Sequence, residues 1–295
     1  RSRVVMLRRC AIIILAIAAI SAGEAPPEAA CRVFFTVPGR DALAPAAENT
    51  PERAIIQLIG RSRESFYGAF YDIRSPEVAA ALIAARMRGV DVRLVTERDN
   101  MGSPEVAMII AAGIPVVADR GRGFMHNKFA IVDGEYVWTG SYNITPRGGR
   151  TNNNNAILIR SPGLAELFRE EFEEMFEHRL FGGGIRSLRS VFGARGVEVE
   201  GVRIEAFFSP EDAVRDEIVQ LIRQARHSVC FMAFTFTSAE IAEAMAQARA
   251  RGVAVAGVVE GYGAMAGHSR YVLLQAAGCA VRRDRGETTM HHKVI

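Results

Sequence analysis

Residues 125–143 read MHNKFAIVDGEYVWTGSYN, and residues 290–295 read MHHKVI. The first run carries His126, Lys128 and Asp133; the second, 165 residues on, begins the same pattern again with His291 and Lys293. Alternate residues of a β-strand face one side, so each His-x-Lys pair aims a titratable ring and a fixed cation at a common point. Two such pairs imply a site assembled from two halves. A phosphodiester needs what they offer: ammonium groups for its non-bridging oxygens, one neutral imidazole to attack phosphorus and one protonated imidazole to release the leaving oxygen. Histidine, with an ordinary pKa near 6.5, reaches both states around neutral pH.

The halves are legible as a repeat. Gln57–Glu97 aligns without gaps on Gln220–Glu260, with 17 of 41 positions identical at an offset of 163. Asp119-Arg120-Gly121 then matches Asp284-Arg285-Gly286 at an offset of 165. So long a period excludes a solenoid and points to two copies of one domain. Turn residues and periodicity predict strands at 33–37, 65–71, 90–96, 115–118, 125–132 and 136–139, with helices at 50–63, from Ser75-Pro76 to 88, from Ser103-Pro104 to 113, and from Ser161-Pro162 onward. Leu164, Leu167, Phe168, Phe172, Met175 and Phe176 form the apolar stripe of that last helix. Residues 180–201, with Gly182-Gly183-Gly184, read as a linker. The second copy replays the order with strands at 202–208, 228–234 and 253–259 and helices at 212–226 and 238–251. This alternation predicts an α/β fold: two tandem repeats, each a mixed or mostly parallel sheet flanked by helices, the second incomplete.

With 49% hydrophobic and 23% charged residues the chain can bury one or two full cores, and a net charge of +3 is too small to indicate nucleic acid by itself. Arg120 and Arg122 before the first histidine, and Arg282, Arg283 and Arg285 before the second, could form a positive rim. Arg8 and Arg9 precede the apolar run Cys10–Ala22, which reads as a secretory signal over residues 1–25. A secreted or periplasmic protein is therefore expected, the alternative being a membrane anchor left uncleaved. Cys31, Cys230 and Cys279 do not make a disulfide framework. No Cys or His pair has zinc-ligand spacing and nothing resembles a carboxylate cage, so chemistry without metal or other cofactor is expected.

The combined pattern resembles the phospholipase D superfamily, whose mark is His-x-Lys-x4-Asp followed by Gly-Ser/Gly-x-Asn. His126, Lys128, Asp133, Gly140, Ser141 and Asn143 fill it; the second copy shows His291 and Lys293 before the sequence ends at Ile295, three residues short of the expected aspartate. The resemblance runs from about Val33 onward, with copies expected at residues 31–179 and 202–295. It implies a catalytic set of His126, Lys128, Asp133, His291 and Lys293, in which His126 attacks phosphorus to form a phosphohistidine and His291 protonates the leaving alcohol and later activates water. It also implies substrate contacts from Ser141 and Asn143. Asn154 stands where members often carry a glutamate that braces a catalytic histidine, and it is grouped with the substrate-binding residues. Asp133 lies an odd number of residues from Lys128, faces away in a regular strand, and reads as an ion-pair or turn residue. The implied activity is a phosphoric diester hydrolase acting on phospholipid, with transient membrane-surface contact and no stable protein partner. A secreted endonuclease, a phosphatidyltransferase of the cardiolipin synthase kind and a non-catalytic phosphate- or partner-binding module are the alternatives.

Overall fold

The computed structural model describes residues 29–39, 49–121, 123–182 and 196–295. The leader read at residues 1–25, most of the glycine-rich linker and Arg122 lie outside them. The first half runs β1 (Cys31–Phe35), α1 (Pro51–Arg61), β2 (Ser65–Phe70), α2 (Pro76–Met87), β3 (Asp91–Thr96), α3 (Pro104–Ala111), β4 (Val116–Ala118), β5 (Lys128–Val132), β6 (Tyr136–Gly140), α4 (Pro146–Arg150), β7 (Asn152–Asn153), β8 (Asn155–Arg160) and α5 (Pro162–Phe176). There follow β9 (Gly196–Val199), β10 (Val202–Glu205), α6 (Val214–Gln224), β11 (Ser228–Ala233), α7 (Ala239–Ala250), β12 (Ala254–Val259), α8 (Tyr271–Ala276), β13 (Ala280–Arg283), β14 (Thr289–Met290) and β15 (Lys293–Val294).

Local chemistry fixes the helix starts. Thr50, Ser75, Ser103, Ser161 and Ser238 each accept a hydrogen bond from the backbone N–H three residues on, and proline fills the first turn of α1, α2, α3 and α5. A side-chain oxygen there satisfies an N–H that the helix cannot, and proline has no N–H to leave unpaired. Helices α2 and α7 both stop at a glycine with positive φ, Gly89 at +93° and Gly252 at +91°, so the repeat is visible in the backbone.

Seven strands form the first sheet in the order β1-β8-β6-β5-β2-β3-β4; β2, β3 and β4 are parallel and the remaining pairs antiparallel. The second sheet, β13-β12-β11-β15, repeats one part of it: β11, β12 and β13 are parallel and β15 runs antiparallel to β11, as β5 does to β2. Strand alternation divides the first core. Phe66, Phe70, Val92 and Leu94 face Ile55, Ile59 and Leu82 of α1 and α2, while Ala69, Val95, Phe129 and Ile131 face Leu164, Phe168 and Phe172 of α5. Each fully buried Phe or Leu contributes on the order of 1.5–3 kcal/mol.

Two segments differ from the sequence expectation. The strand expected at 125–132 begins at Lys128, because the N–H of Met125 is drawn to the buried Glu97 carboxylate at 2.6 Å and the chain enters the sheet only afterwards. The strand expected at 202–208 ends at Glu205 and pairs with β9, so residues 196–201, read as linker, belong to a hairpin. Its turn, Glu200 (φ 49°) and Gly201 (φ 78°), has the left-handed conformation at both positions that a two-residue hairpin needs, but lacks the usual Asn-Gly signal. Val199 and the following Phe208 are buried in the core under α5, where Phe208 meets Phe168 with ring centroids 5.0 Å apart.

Candidate active site

Both halves build the same corner. Strand β2 continues past its last residue, with Tyr71 N–H donating to the Asn127 carbonyl (2.9 Å), and the Tyr71 ring lies edge-on to the His126 ring at 4.7 Å. Lys128 turns back so that Nζ donates to the His126 carbonyl (2.8 Å) and sits 5.2 Å from the centre of the Tyr71 ring. In the second half Phe234, which occupies the position of Tyr71 in the repeat, donates its N–H to the His292 carbonyl (2.9 Å) and packs on the His291 ring at 4.8 Å. Lys293 Nζ donates to the His291 carbonyl (2.8 Å) and lies 4.8 Å from the Phe234 ring. An aromatic face under each ammonium stabilises the cation without giving it a carboxylate partner.

The corners are brought together by a parallel pairing of β7 with β14, Thr289 opposite Asn152 and Met290 opposite Asn153. His291 N–H then donates to the Asn153 carbonyl at 2.9 Å. The His291 ring enters a buried network contributed by the first half: Nδ1 is 2.8 Å from Asn154 Oδ1 and 3.2 Å from the Ser141 carbonyl. Ser141 Oγ lies 3.0 Å from both Asn154 Oδ1 and Asn155 Oδ1 and accepts from Asn155 N–H. Asn154 Nδ2 donates to the Gly148 carbonyl at 2.9 Å, and His292 Nδ1 lies 3.0 Å from Asn155 Oδ1. Gly140 makes the turn possible: a Cβ there would meet the Asn155 carbonyl oxygen at 2.3 Å.

These contacts place the residues named from the sequence. Asn154, grouped with the substrate-binding residues, is 1% exposed, its Nδ2 donating to the Gly148 carbonyl and its Oδ1 lying against the His291 ring. Ser141 is likewise buried, its hydroxyl committed to the two asparagines. Asn143 follows on the turn into α4; its carbonyl accepts from Thr145 N–H, and its buried Oδ1 has no hydrogen-bond partner among the described residues. Asp133, named with the catalytic set, sits at the other end of β5 from the histidine, roughly 17 Å along the strand from Lys128 at about 3.4 Å per residue. It occupies a left-handed turn position (φ 53°) and its carboxylate accepts from the backbone N–H groups of Arg63, Glu64 and Ser65. His292, Asn155, Tyr71 and Phe234 were not singled out from sequence; the adjacent His-His and Asn-Asn pairs and the matching aromatic positions of the repeat were the available signals. Arg120, Arg282, Arg283 and Arg285 are exposed.

Electrostatics tie the halves to one centre. Burial, then Lys128 and Lys293, push the His126 ring down to about 4. Burial, then Lys293, Lys128 and His126, push His291 down to about 3, against a smaller opposite pull from the Ser141 carbonyl. Lys128 falls to about 7 through burial and Lys293, partly offset by Asp72, and Lys293 falls to about 8 through burial. His126 and Lys293 keep exposed faces where water screens part of this repulsion, whereas His291 and Lys128 are buried. Burial disfavours the proton on all four groups, and Lys293 adds repulsion at both histidines and Lys128, so an anion would stabilise the charged site.

The family described as "Cardiolipin synthase, PLD-like domain" matches residues 55–176 and 218–295, both halves of this arrangement. The chain belongs to the phospholipase D superfamily. It is 33% identical over 135 residues to the mitochondrial cardiolipin hydrolase of Xenopus laevis, covering 45% of this chain and 64% of that one. It is 36% identical over 120 residues to a phospholipase D of Rickettsia prowazekii, covering 40% and 58%. The chain thus spans less than two thirds of the length of these curated relatives. Among solved structures, a polyphosphate kinase from Porphyromonas gingivalis superposes over 88% of this chain and 42% of its own with a TM-score of 0.51 and 12% identity, a likeness of fold.

Proposed function

We propose that the protein hydrolyses phosphodiester bonds of phospholipids through a covalent phosphohistidine. The observation that carries this reading is the convergence of the two His-x-Lys corners, whose charges act on one another across the interface between the halves. The two ammonium groups would take the non-bridging oxygens and the two imidazoles would share attack and proton transfer. Membership in the phospholipase D superfamily supports phosphodiester chemistry, and the names of the hydrolase relatives favour lipid.

A lipid substrate is also supported by the rim. Phe124, 71% exposed, meets Tyr71 edge-on at 6.4 Å, and Phe35, 53% exposed, meets His292 at 6.1 Å. Exposed aromatics on either side of a polar site suit insertion among acyl chains while the headgroup reaches the bases. The test is a parallel assay of the full-length protein on cardiolipin and phosphatidylcholine vesicles, bis-p-nitrophenyl phosphate and plasmid DNA. Release of headgroup or phosphatidate, lost in His126→Ala, is expected. Cleavage of DNA alone would transfer the reading to the endonuclease alternative, and turnover surviving His126→Ala would end the two-histidine reading.

A further inference from the structure

We propose that Thr36 is a positioning residue of the site, its hydroxyl holding residues 152–154 in the shape that sets the Asn154 amide against the His291 ring. The proposal takes the work of that ring from the phosphodiesterase reading; the geometry does not depend on it.

Asn154 stands alone between two strands that belong to different sheets. Asn152 and Asn153 form β7, which pairs with β14, and Asn155 opens β8, which lies between β1 and β6. The chain therefore passes from one sheet to the other at a single residue, where its backbone polar groups lose their ladder partners. Thr36 follows Phe35, the last residue of β1, which lies opposite Asn155. In an unbroken antiparallel pair Thr36 and Asn154 would exchange two backbone bonds. One is made, Thr36 N–H donating to the Asn154 carbonyl at 3.0 Å. The Asn154 N–H goes instead to Thr36 Oγ1 at 2.7 Å. With that donor on the oxygen, the hydroxyl proton goes to the Asn152 carbonyl at 2.6 Å.

One oxygen thus ties residue 152 to residue 154 and bends the chain across Asn153. The bend turns β7 toward β14, so that the Asn153 carbonyl takes the His291 N–H at 2.9 Å. It also fixes the backbone of Asn154, from which Nδ2 reaches the Gly148 carbonyl and Oδ1 reaches His291 Nδ1. Thr36 and Asn154 are both buried. Valine has the shape of threonine but can make neither bond, so it leaves the Asn152 carbonyl and the buried Asn154 N–H without this partner, and the segment must shift to satisfy them. Serine keeps the oxygen.

The test uses the full-length protein labelled with 15N-histidine, the His291 signals being assigned by their loss in His291→Asn. Nδ1 faces only acceptors, the Asn154 Oδ1 and the Ser141 carbonyl, so the ring is held with its hydrogen on Nδ1, whereas a free imidazole prefers Nε2. Thr36→Val should shift His291 toward the Nε2–H tautomer and lower kcat by roughly ten- to a hundredfold with KM little changed. Thr36→Ser should restore both. A valine variant with the parent tautomer and kcat, a serine variant as impaired as the valine one, or a loss confined to KM would overturn the proposal. Amide exchange in the unaltered protein needs no variant: the Asn154 N–H should be protected, and free exchange there would also overturn it. A protein inert on every phosphodiester, with a His291 tautomer that still depends on Thr36, would sink the phosphodiesterase reading and uphold this one.

Discussion

Sulfate has the shape of phosphate and keeps one charge state from pH 6 to 9, so any protons that move when it binds belong to the protein. Without an anion, burial and Lys293 hold Lys128 at about 7 and burial holds Lys293 at about 8. A lysine with a pKa of 7 is charged in roughly one molecule out of eleven at pH 8, and an anion beside it restores the charged form. Binding at pH 8 should therefore draw roughly 0.9 proton onto Lys128. Lys293 adds up to roughly half a proton, less whatever water already screens on its exposed face. Both lysines are largely charged by pH 6, so their share disappears there. Because protons are taken up, affinity must fall as pH rises between pH 7 and 9, by about tenfold per pH unit for each whole proton drawn on. Calorimetric titration with sulfate at pH 8 in two buffers of different ionisation enthalpy measures the uptake directly. Lys128→Arg, whose guanidinium cannot lose its proton in this range, should keep the affinity at pH 9 and remove about 0.9 proton from the uptake. Heats that do not depend on the buffer, or an uptake unchanged in the arginine variant, would refute the lowered lysine pKa values that burial gives the site.

Asp133→Ala should remove the acceptor of three backbone N–H groups at the start of β2 and cost about 1–3 kcal/mol in a urea unfolding titration, while the pH profile of the remaining enzyme stays unchanged. A change in that profile would return Asp133 to the reacting groups. His291 has a depressed pKa, so between about 3 and 6.5 the unfolded chain binds the proton that the folded chain refuses. Stability should thus fall as pH drops from 7 toward 4, and the gap in urea midpoint between pH 7.5 and 4.5 should narrow in His291→Asn; an equal gap would contradict a neutral buried ring. Turnover should persist in EDTA, because two imidazoles and two ammonium groups make a poor cage for a cation; loss on chelation, restored by one metal, would require a different mechanism.

Where structure follows from nearby residues, the sequence could be read closely. Proline after Thr50, Ser75, Ser103 and Ser161 marks helix starts to within a residue, and the stripe from Leu164 to Phe176 lies against the sheet as its spacing requires. The odd spacing of Asp133 from Lys128 pointed to an ion-pair or turn residue, and it stands in a turn. The misses arise where a distant group decides. Glu97 delays the start of β5, and the second hairpin turn is Glu-Gly, whose left-handed glutamate has no propensity signal. His292 could be seen only once Asn155, 137 residues away, was known to face it.

Asn154 shows why the site was harder to read than the fold. The family resemblance implies that it stands in place of a bracing acid, yet its action depends on which end of the amide faces the ring. That is decided by the Gly148 carbonyl, on a helix of five residues, and by Ser141, on the turn after β6. The histidine it holds lies 137 residues farther along the chain and reaches it only through the pairing of β7 with β14. The setting of His291 is therefore not a property of its own His-x-Lys run. Among the described residues, the His291 ring is buried against two neutral oxygens that the first half supplies.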